Sequence, residues 1–165
     1  MKTQRKRRIK RKTDYAARIG MLKSENPRIV IRKTNKHIIL QYVNSFEAKD
    51  SVLVGVTSKD LLKYGWPEKL SGSLKSVPAS YLTGYLIGKK ILRKKLKSKM
   101  ILDIGLQRNV SGSRLYAALK GIIDSGIEIN HNPKIFPSEE RILGKHLKSD
   151  LEDVFVKVKK NIEDE

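Results

Sequence analysis

Residues 27–43 read PRIVIRKTNKHIILQYV, and the fold turns on how that stretch is interpreted. Two apolar segments, 28–31 and 38–43, flank a polar turn centred on Lys33-Thr34-Asn35-Lys36. Both are rich in Val and Ile and too short for helices, so strands are expected. Asn35 is able to supply the left-handed backbone of a tight turn, which predicts a β-hairpin with a cationic tip. Arg32, Lys33, Lys36 and His37 then project from a rigid base, a way of presenting charge to a polyanion. The plainer alternative is a solubilising turn, and the rest of the chain weighs against it.

The 165 residues carry a formal net charge of +19 with 39% hydrophobic residues, enough for one domain with its own core. The charge is uneven. Residues 1–36 hold 14 Lys and Arg against Asp14 and Glu25, whereas residues from 137 onward hold 8 acids against 6 bases. Such a field favours a nucleic acid or an anionic membrane surface as partner. No apolar run is long enough to span a membrane, and the N-terminus lacks the apolar centre of a signal peptide. Cysteine is absent, which excludes disulfides, thiolate metal sites and a Cys nucleophile. A cytoplasmic location is expected.

Outward from the hairpin, residues 1–12 (MKTQRKRRIKRK) contain eight bases and no acid. A block of this kind repels itself and is expected to order only on a polyanion. Residues 13–24 place Tyr15, Ile19 and Leu22 at helical spacing, with Thr13 or Asp14 as cap and Pro27 as stop. Residues 51–57 (SVLVGVT) predict a third strand after a turn at 48–50. One or two helical turns are expected near 59–64, and Trp66 is expected as a packing lid on the core rather than a base-stacking platform. Pro78 opens a long helix, 78–98, in which Gly84 and Gly88 share a face suited to close approach to a sheet. In its basic second half Leu92 and Leu96 are expected inside, with Lys90, Arg93, Lys94 and Lys97 outside. Residues 100–105 (MILDIG) predict a buried strand. Residues 111–126 predict a helix with the apolar stripe Leu115, Ala118, Leu119, Ile122 and Ile123, capped by Ser111 or Ser113 and stopped by Gly126. A short strand at 127–129, a loop at 130–137 and helices at 138–148 and 149–161 complete the chain, the last with a Ser149–Glu152 capping box. The expected class is therefore α/β, a mixed sheet flanked by helices. It divides into a basic arm and short helix (1–26), an α/β body (27–130) and a C-terminal loop and helical extension (131–165), compact as one domain.

Tests for chemistry fail. Residues 84–90 (GYLIGKK) lack P-loop spacing and the Ser or Thr after lysine, and they fall inside a helix. His37, His131 and His146 show no metal-ligand spacing, and no Gly-x-Ser-x-Gly elbow occurs. A three-strand meander followed by alternating helices and strands also describes ribonuclease-H-like nucleases, which gather several carboxylates around divalent ions. Here the first strand and first long helix carry no acid. Asp103 alone sits on a strand, where capping or pairing with nearby backbone is the expected role.

The blocks KTDYAARIGMLKS, NPRIVIRKTNKHIILQYV, YGW, VPASYLTGYLIGKK, ILDIGL, GSRLYAALKGIIDSGIEINHN and PSEERILGKHL occur in this order. Across nearly its whole length the chain resembles the family of large-subunit ribosomal protein eighteen in its archaeal form, the 5S rRNA-binding family whose eukaryotic counterpart is numbered five. The resemblance implies a ribonuclease-H-like α/β sandwich of the translational-machinery type, with no catalysis and no cofactor. It implies a ribosomal protein that binds 5S rRNA and attaches it to large-subunit rRNA at the central protuberance. Neighbouring large-subunit proteins, large-subunit protein five among them, are implied partners. By position, the arm (Arg5, Lys6, Arg7, Arg8, Lys10, Arg11, Lys12) and the block Arg32, Lys33, Thr34, Asn35, Lys36, His37 match the parts associated with RNA contact. Thr13, Tyr15 and Arg18 match as well. The chain departs from the family pattern at Ser76, Lys134, Leu143 and Lys145, and the last three bear on C-terminal contacts. Against this reading stand a metal-dependent nuclease and a DNA-binding architectural protein.

Overall fold

The computed structural model describes residues 6–47, 49–96, 99–146 and 151–164. Strands β1 (Arg28–Lys33) and β2 (Ile38–Phe46) form the expected hairpin, with Arg28 opposite Val43 and Lys33 opposite Ile38. Strand β3 (Lys49–Thr57) pairs antiparallel with β2, with a bulge between Tyr42 and Val43. The short β4 (Ile101–Asp103) lies parallel to β1, giving a mixed sheet of order β3-β2-β1-β4. The parallel pair requires a crossover, and the helix between β3 and β4 supplies it. Alternation along the strands buries Ile29, Ile31, Ile38, Leu40, Tyr42, Val54 and Val56. Each fully buried Ile or Leu contributes about 1.5–3 kcal/mol by leaving water.

The hairpin turn is shorter than expected and is closed by a different residue. Asn35 is not left-handed; among the described residues, the non-glycine ones with positive φ are Arg11, Glu25, Glu47 and Lys95. Instead the Thr34 hydroxyl accepts from His37 N–H at 2.9 Å and donates to the His37 carbonyl at 2.8 Å. Thr34 N–H donates to the same carbonyl at 2.9 Å. At the next reversal, Glu47 turns the chain and Lys49 and Asp50 already belong to β3, so the turn expected at 48–50 begins earlier.

Within the arm, α1 (Lys6–Ile9) is a single helical turn. Helix α2 (Tyr15–Lys23) is capped by Asp14, whose Oδ1 accepts from Ala16 and Ala17 N–H at 3.0 and 3.1 Å. It ends before Pro27 is reached, with Glu25 at φ 53°. No residue of α2 is buried and Ile19 is 53% exposed, so the helix is not docked by its apolar stripe.

Helix α3 (Val77–Arg93) is capped by Ser76 with Pro78 in its first turn, and it is almost wholly buried up to Gly88. It stops short of 98 because Lys95 turns left-handed. Ile91, rather than the expected Leu92, is fully buried; Leu92 is 36% exposed and Leu96 half-buried. Gly84 and Gly88 face not the sheet but α4 (Arg114–Asp124). A Cβ at Gly84 would lie 2.0 Å from the Ala118 carbonyl oxygen, and one at Gly121 would lie 2.1 Å from that of Tyr81. The α4 stripe is buried as expected except for Ile123, which is half-buried, and Gly126 ends the helix at φ 105°.

Residues 127–129 form no strand; Ile127 and Ile129 are buried, and Glu128 accepts one backbone bond from Met100. Helix α5 (Glu139–Leu143) is far shorter than 138–148 because Gly144 turns left-handed. Helix α6 (Leu151–Asp164) buries Leu151, Phe155, Val158 and Ile162; the expected Ser149 cap lies outside the described residues. Against α3, Tyr85 donates to Glu163 at 2.6 Å, with Lys89 and Lys159 over its ring at 5.2 and 5.1 Å. Burial, then the Glu163 acceptor, push the Tyr85 hydroxyl up to about 12. Trp66 is 2% exposed and donates to the Leu70 carbonyl, a lid as expected. Among the described residues, no helix is long and apolar enough to cross a membrane.

Candidate nucleic-acid interface

Across one end of the sheet an ion-pair ladder runs from α2 through Asp50 of β3 and Arg28 of β1 to Asp103 of β4. Arg18 of α2 donates to Asp50 Oδ2 at 2.8 Å, and Arg28 donates to Asp50 Oδ1 at 2.7 Å and to Ser45 Oγ at 3.1 Å. Arg28 also reaches Asp103 Oδ2 at 3.4 Å. Asp103 Oδ1 accepts from Arg32 Nη2 and from Gly105 N–H, both at 2.8 Å. Arg28 is 3% exposed, so removal of either neighbouring carboxylate would leave a buried charge short of a partner. Burial alone would raise the Asp50 carboxyl. The Ser45 hydroxyl and the Arg28 and Arg18 guanidinium groups outweigh it and hold Asp50 below the usual carboxylate range.

This ladder docks α2 by charge where its apolar stripe does not. It also frames a groove of about 370 Å³, lined by Arg7, Lys12, Thr13, Arg18, Arg28 and Arg32 among others. Arg7 Nε donates to Thr13 Oγ1 at 2.9 Å, which ties the arm to the groove wall. Three arginines share two carboxylates in the ladder, so the groove retains positive charge with its donors fixed before any polyanion arrives.

Of the residues predicted from sequence, the groove brings together Arg7, Lys12, Thr13, Arg18 and Arg32. Lys6, Arg8, Lys10, Arg11 and Tyr15 lie on the same arm and helix but do not line it. Arg5 falls outside the described residues. Arg32 does not project from the hairpin as expected. Its guanidinium turns back to the Asp103 carbonyl at 2.7 Å and packs against Gly105, whose φ of +62° and missing side chain make room. Lys33 borders a different cavity, near the starts of α3 and α4. Lys36 and Asn35 stay exposed at the tip, while Thr34 is spent on closing the turn. His37 is half-buried; burial, then the charges of Lys59 and Lys36, hold its imidazole below the usual value.

Sequence reasoning missed Arg28 and Asp50. The available signal was an arginine at the start of an apolar strand, a placement that needs a carboxylate. Asp103 fulfils its expected backbone pairing through Gly105 and adds two arginines to it. Among the described residues, no group of three or more His, Asp or Glu could hold a metal ion.

The model of the family "Ribosomal large subunit proteins 60S L5, and 50S L18" matches residues 1–100 and 94–132. The chain is 47% identical to large ribosomal subunit protein uL18 of Korarchaeum cryptofilum over 144 residues, covering 87% of this chain and 71% of that protein. Against the uL18 protein of Methanococcoides burtonii it is 43% identical over 162 residues, 95% of this chain and 91% of that one. The Methanosphaera stadtmanae uL18 protein is 43% identical over 146 residues, 88% and 73% of the two chains. With a family match over most of its length and relatives similar across the greater part of both chains, the chain belongs to the family of ribosomal large-subunit proteins 60S L5 and 50S L18.

Proposed function

We propose that this protein binds 5S rRNA and attaches it to large-subunit rRNA at the central protuberance of the large ribosomal subunit, with the arm-and-ladder groove as its principal RNA contact. Family membership supports a structural role in the subunit rather than an enzymatic one. The observation that carries the RNA reading is the groove itself: Arg7, Lys12, Arg18 and Arg32 held in fixed relation on a chain of net charge +19. Phosphates neutralise the arm and groove, and RNA shape is sensed by donors that cannot rearrange. A nuclease of similar topology is disfavoured because both Asp103 oxygens already accept from guanidinium groups. Large-subunit protein five is the proposed neighbour among the subunit's proteins.

The test is a set of titrations of the full-length protein with 5S rRNA, an unrelated structured RNA and duplex DNA at one salt concentration. Preference for 5S rRNA by at least about tenfold, equivalent to ~1.4 kcal/mol, and its loss in Lys12→Ala with Arg18→Ala, is expected. Equal affinity for duplex DNA would replace this reading with the architectural one.

A further inference from the structure

A second cavity, of about 600 Å³, shares no lining residue with the groove. It opens where α3 and α4 begin, between the loop carrying Gln107 and Arg108 and the short helix α5 that carries Arg141. Lys33, Arg108 and Arg141 are exposed at its edge, Arg114 is half-buried, and no carboxylate lines it. Val77 and Leu115, both buried, supply apolar surface. Within the same lining, Gln107 Oε1 and Ser113 Oγ are buried and have no hydrogen-bond partner among the described residues. Buried polar atoms are nearly always paired, so a small turn of the Gln107 and Ser113 side chains toward the cavity would give each a hydrogen bond to a bound group.

The walls are fixed in advance. Gly112 N–H donates to the Ile135 carbonyl at 2.8 Å, and Ser111 Oγ donates to that of Lys134 at 3.1 Å. Gly112 has φ +67°, and a Cβ there would stand 3.4 Å from Arg141 Nη1. The backbone thus comes close to a guanidinium that already faces the cavity.

Four cations without a carboxylate call for an anion. Apolar surface beside a buried amide and hydroxyl calls for a flat, neutral group with donors and acceptors along its edge. Inorganic phosphate would meet the first demand and leave Gln107 unpaired, whereas an apolar ligand would do neither. A nucleotide meets both, and the volume lies in the range of small-ligand sites. We infer that this cavity takes one unstacked nucleotide of ribosomal RNA, with its phosphate on the cationic edge and its base edge on Gln107 and Ser113. The inference rests on the RNA-binding reading above and adds a site that reads a base to a groove that senses charge and shape. Protein readout of RNA sequence depends on such splayed-out nucleotides, because A-form grooves hide the base edges.

The experiment titrates the four nucleoside 5′-monophosphates and inorganic phosphate into the full-length protein, followed by NMR of the Gln107 side-chain amide. One nucleotide is expected to shift that amide and to bind at least about tenfold more tightly than phosphate, the scale of one or two added hydrogen bonds. Gln107→Leu should abolish that advantage while leaving phosphate binding unchanged. Gln107→Glu, which keeps the shape and adds a negative charge, should weaken both, and it serves if the leucine variant does not fold. Equal binding of nucleotide and phosphate, or no shift at Gln107, overturns the inference, including in favour of an acidic peptide. Saturation with 5S and large-subunit rRNA should displace the nucleotide; nucleotide retained beside bound RNA overturns the ribosomal source. Loss of 5S preference in the titrations above would refute the groove reading alone, since the mononucleotide measurement does not depend on it.

Discussion

Arg32 and Asp103 meet beside the parallel β1–β4 pair through two hydrogen bonds, Nη2 to Oδ1 at 2.8 Å and Nη1 to the carbonyl oxygen at 2.7 Å. Arg32 Nη1 also donates to its neighbour's carbonyl, Ile31 O, at 2.9 Å. An arginine that the sequence places at a hairpin tip is thereby a strut of the groove, with one side against protein and 37% of its side chain open. Asp103 in turn holds Arg28, which is nearly inaccessible. The two arginines should therefore respond differently to truncation.

Arg28→Ala leaves Asp50 and Asp103 without their shared cation and should cost about 3–5 kcal/mol of folding stability, the range for breaking a buried pair. Arg32→Ala removes a partly exposed cation from Asp103, which keeps Arg28 and the Gly105 N–H, and should cost less, about 1–2 kcal/mol, yet weaken RNA binding. Urea unfolding of both variants checks the contrast. Similar losses would show that the ladder is not graded by burial.

The packing of α3 on α4 should tolerate no added carbon at Gly84. Gly84→Ala sets a methyl against backbone and should destabilise by about 3 kcal/mol or more, at the upper end of overpacking costs and well beyond the ~1 kcal/mol gain in helix propensity. Gly88→Ala meets the Ser125 side chain at 1.8 Å instead, a group that is removable. Ser125→Gly should therefore rescue Gly88→Ala and leave Gly84→Ala unrescued, read as a double-mutant cycle of melting temperatures.

RNA binding at the hairpin tip should take up a proton at His37. In the free protein, burial and then Lys59 and Lys36 depress its pKa, so the folded state holds fewer protons than the unfolded one below about pH 6.5. Stability of the free domain consequently falls as pH drops through that value toward the lowered one. Phosphates near Lys36 and Lys59 offset the two charges and raise the pKa, so affinity rises as pH falls from about 7.5 to 5.5, by at most about one log unit per pH unit. His37→Gln should flatten the profile. A slope that persists in His37→Gln would assign the proton elsewhere.

Deleting residues 1–12 should reduce affinity for every RNA and flatten its salt dependence while leaving the melting temperature unchanged. An arm that neutralises about four phosphates accounts for roughly three to four units of the log–log salt slope, and the deletion should remove that share. An unchanged slope would make the arm a passive tail.

The hairpin is legible in the sequence because Val and Ile crowd a few consecutive residues on either side of a polar turn, and the long helices because their stripes recur at a fixed period. Both are local signals. The ladder joins positions 18, 28, 32, 50 and 103, and nothing in the neighbourhood of Asp50 announces an arginine of another strand. The Gly84 and Gly88 face is legible as a close-approach surface, but not its partner, since the Gly121 that completes it lies on a different helix. Turn chemistry misleads for a related reason. Asn35 has the better intrinsic preference, while the Thr34 hydroxyl wins by bonding both backbone groups of His37 at once. The base-sized cavity beside Gln107 arises only where several separate segments converge, so composition carries no trace of it.

The last member of the ladder is Asp103, whereas the helix that completes the core begins at Leu151. A chain is synthesised from its N-terminus. The groove therefore has every partner it needs while Phe155, Val158 and Ile162 are still to be added. In a growing polypeptide every residue of the charge-paired edge has therefore been added before those that fill the apolar seam against Tyr81 and Tyr85, so the residues that meet RNA precede in translation the ones that close the core.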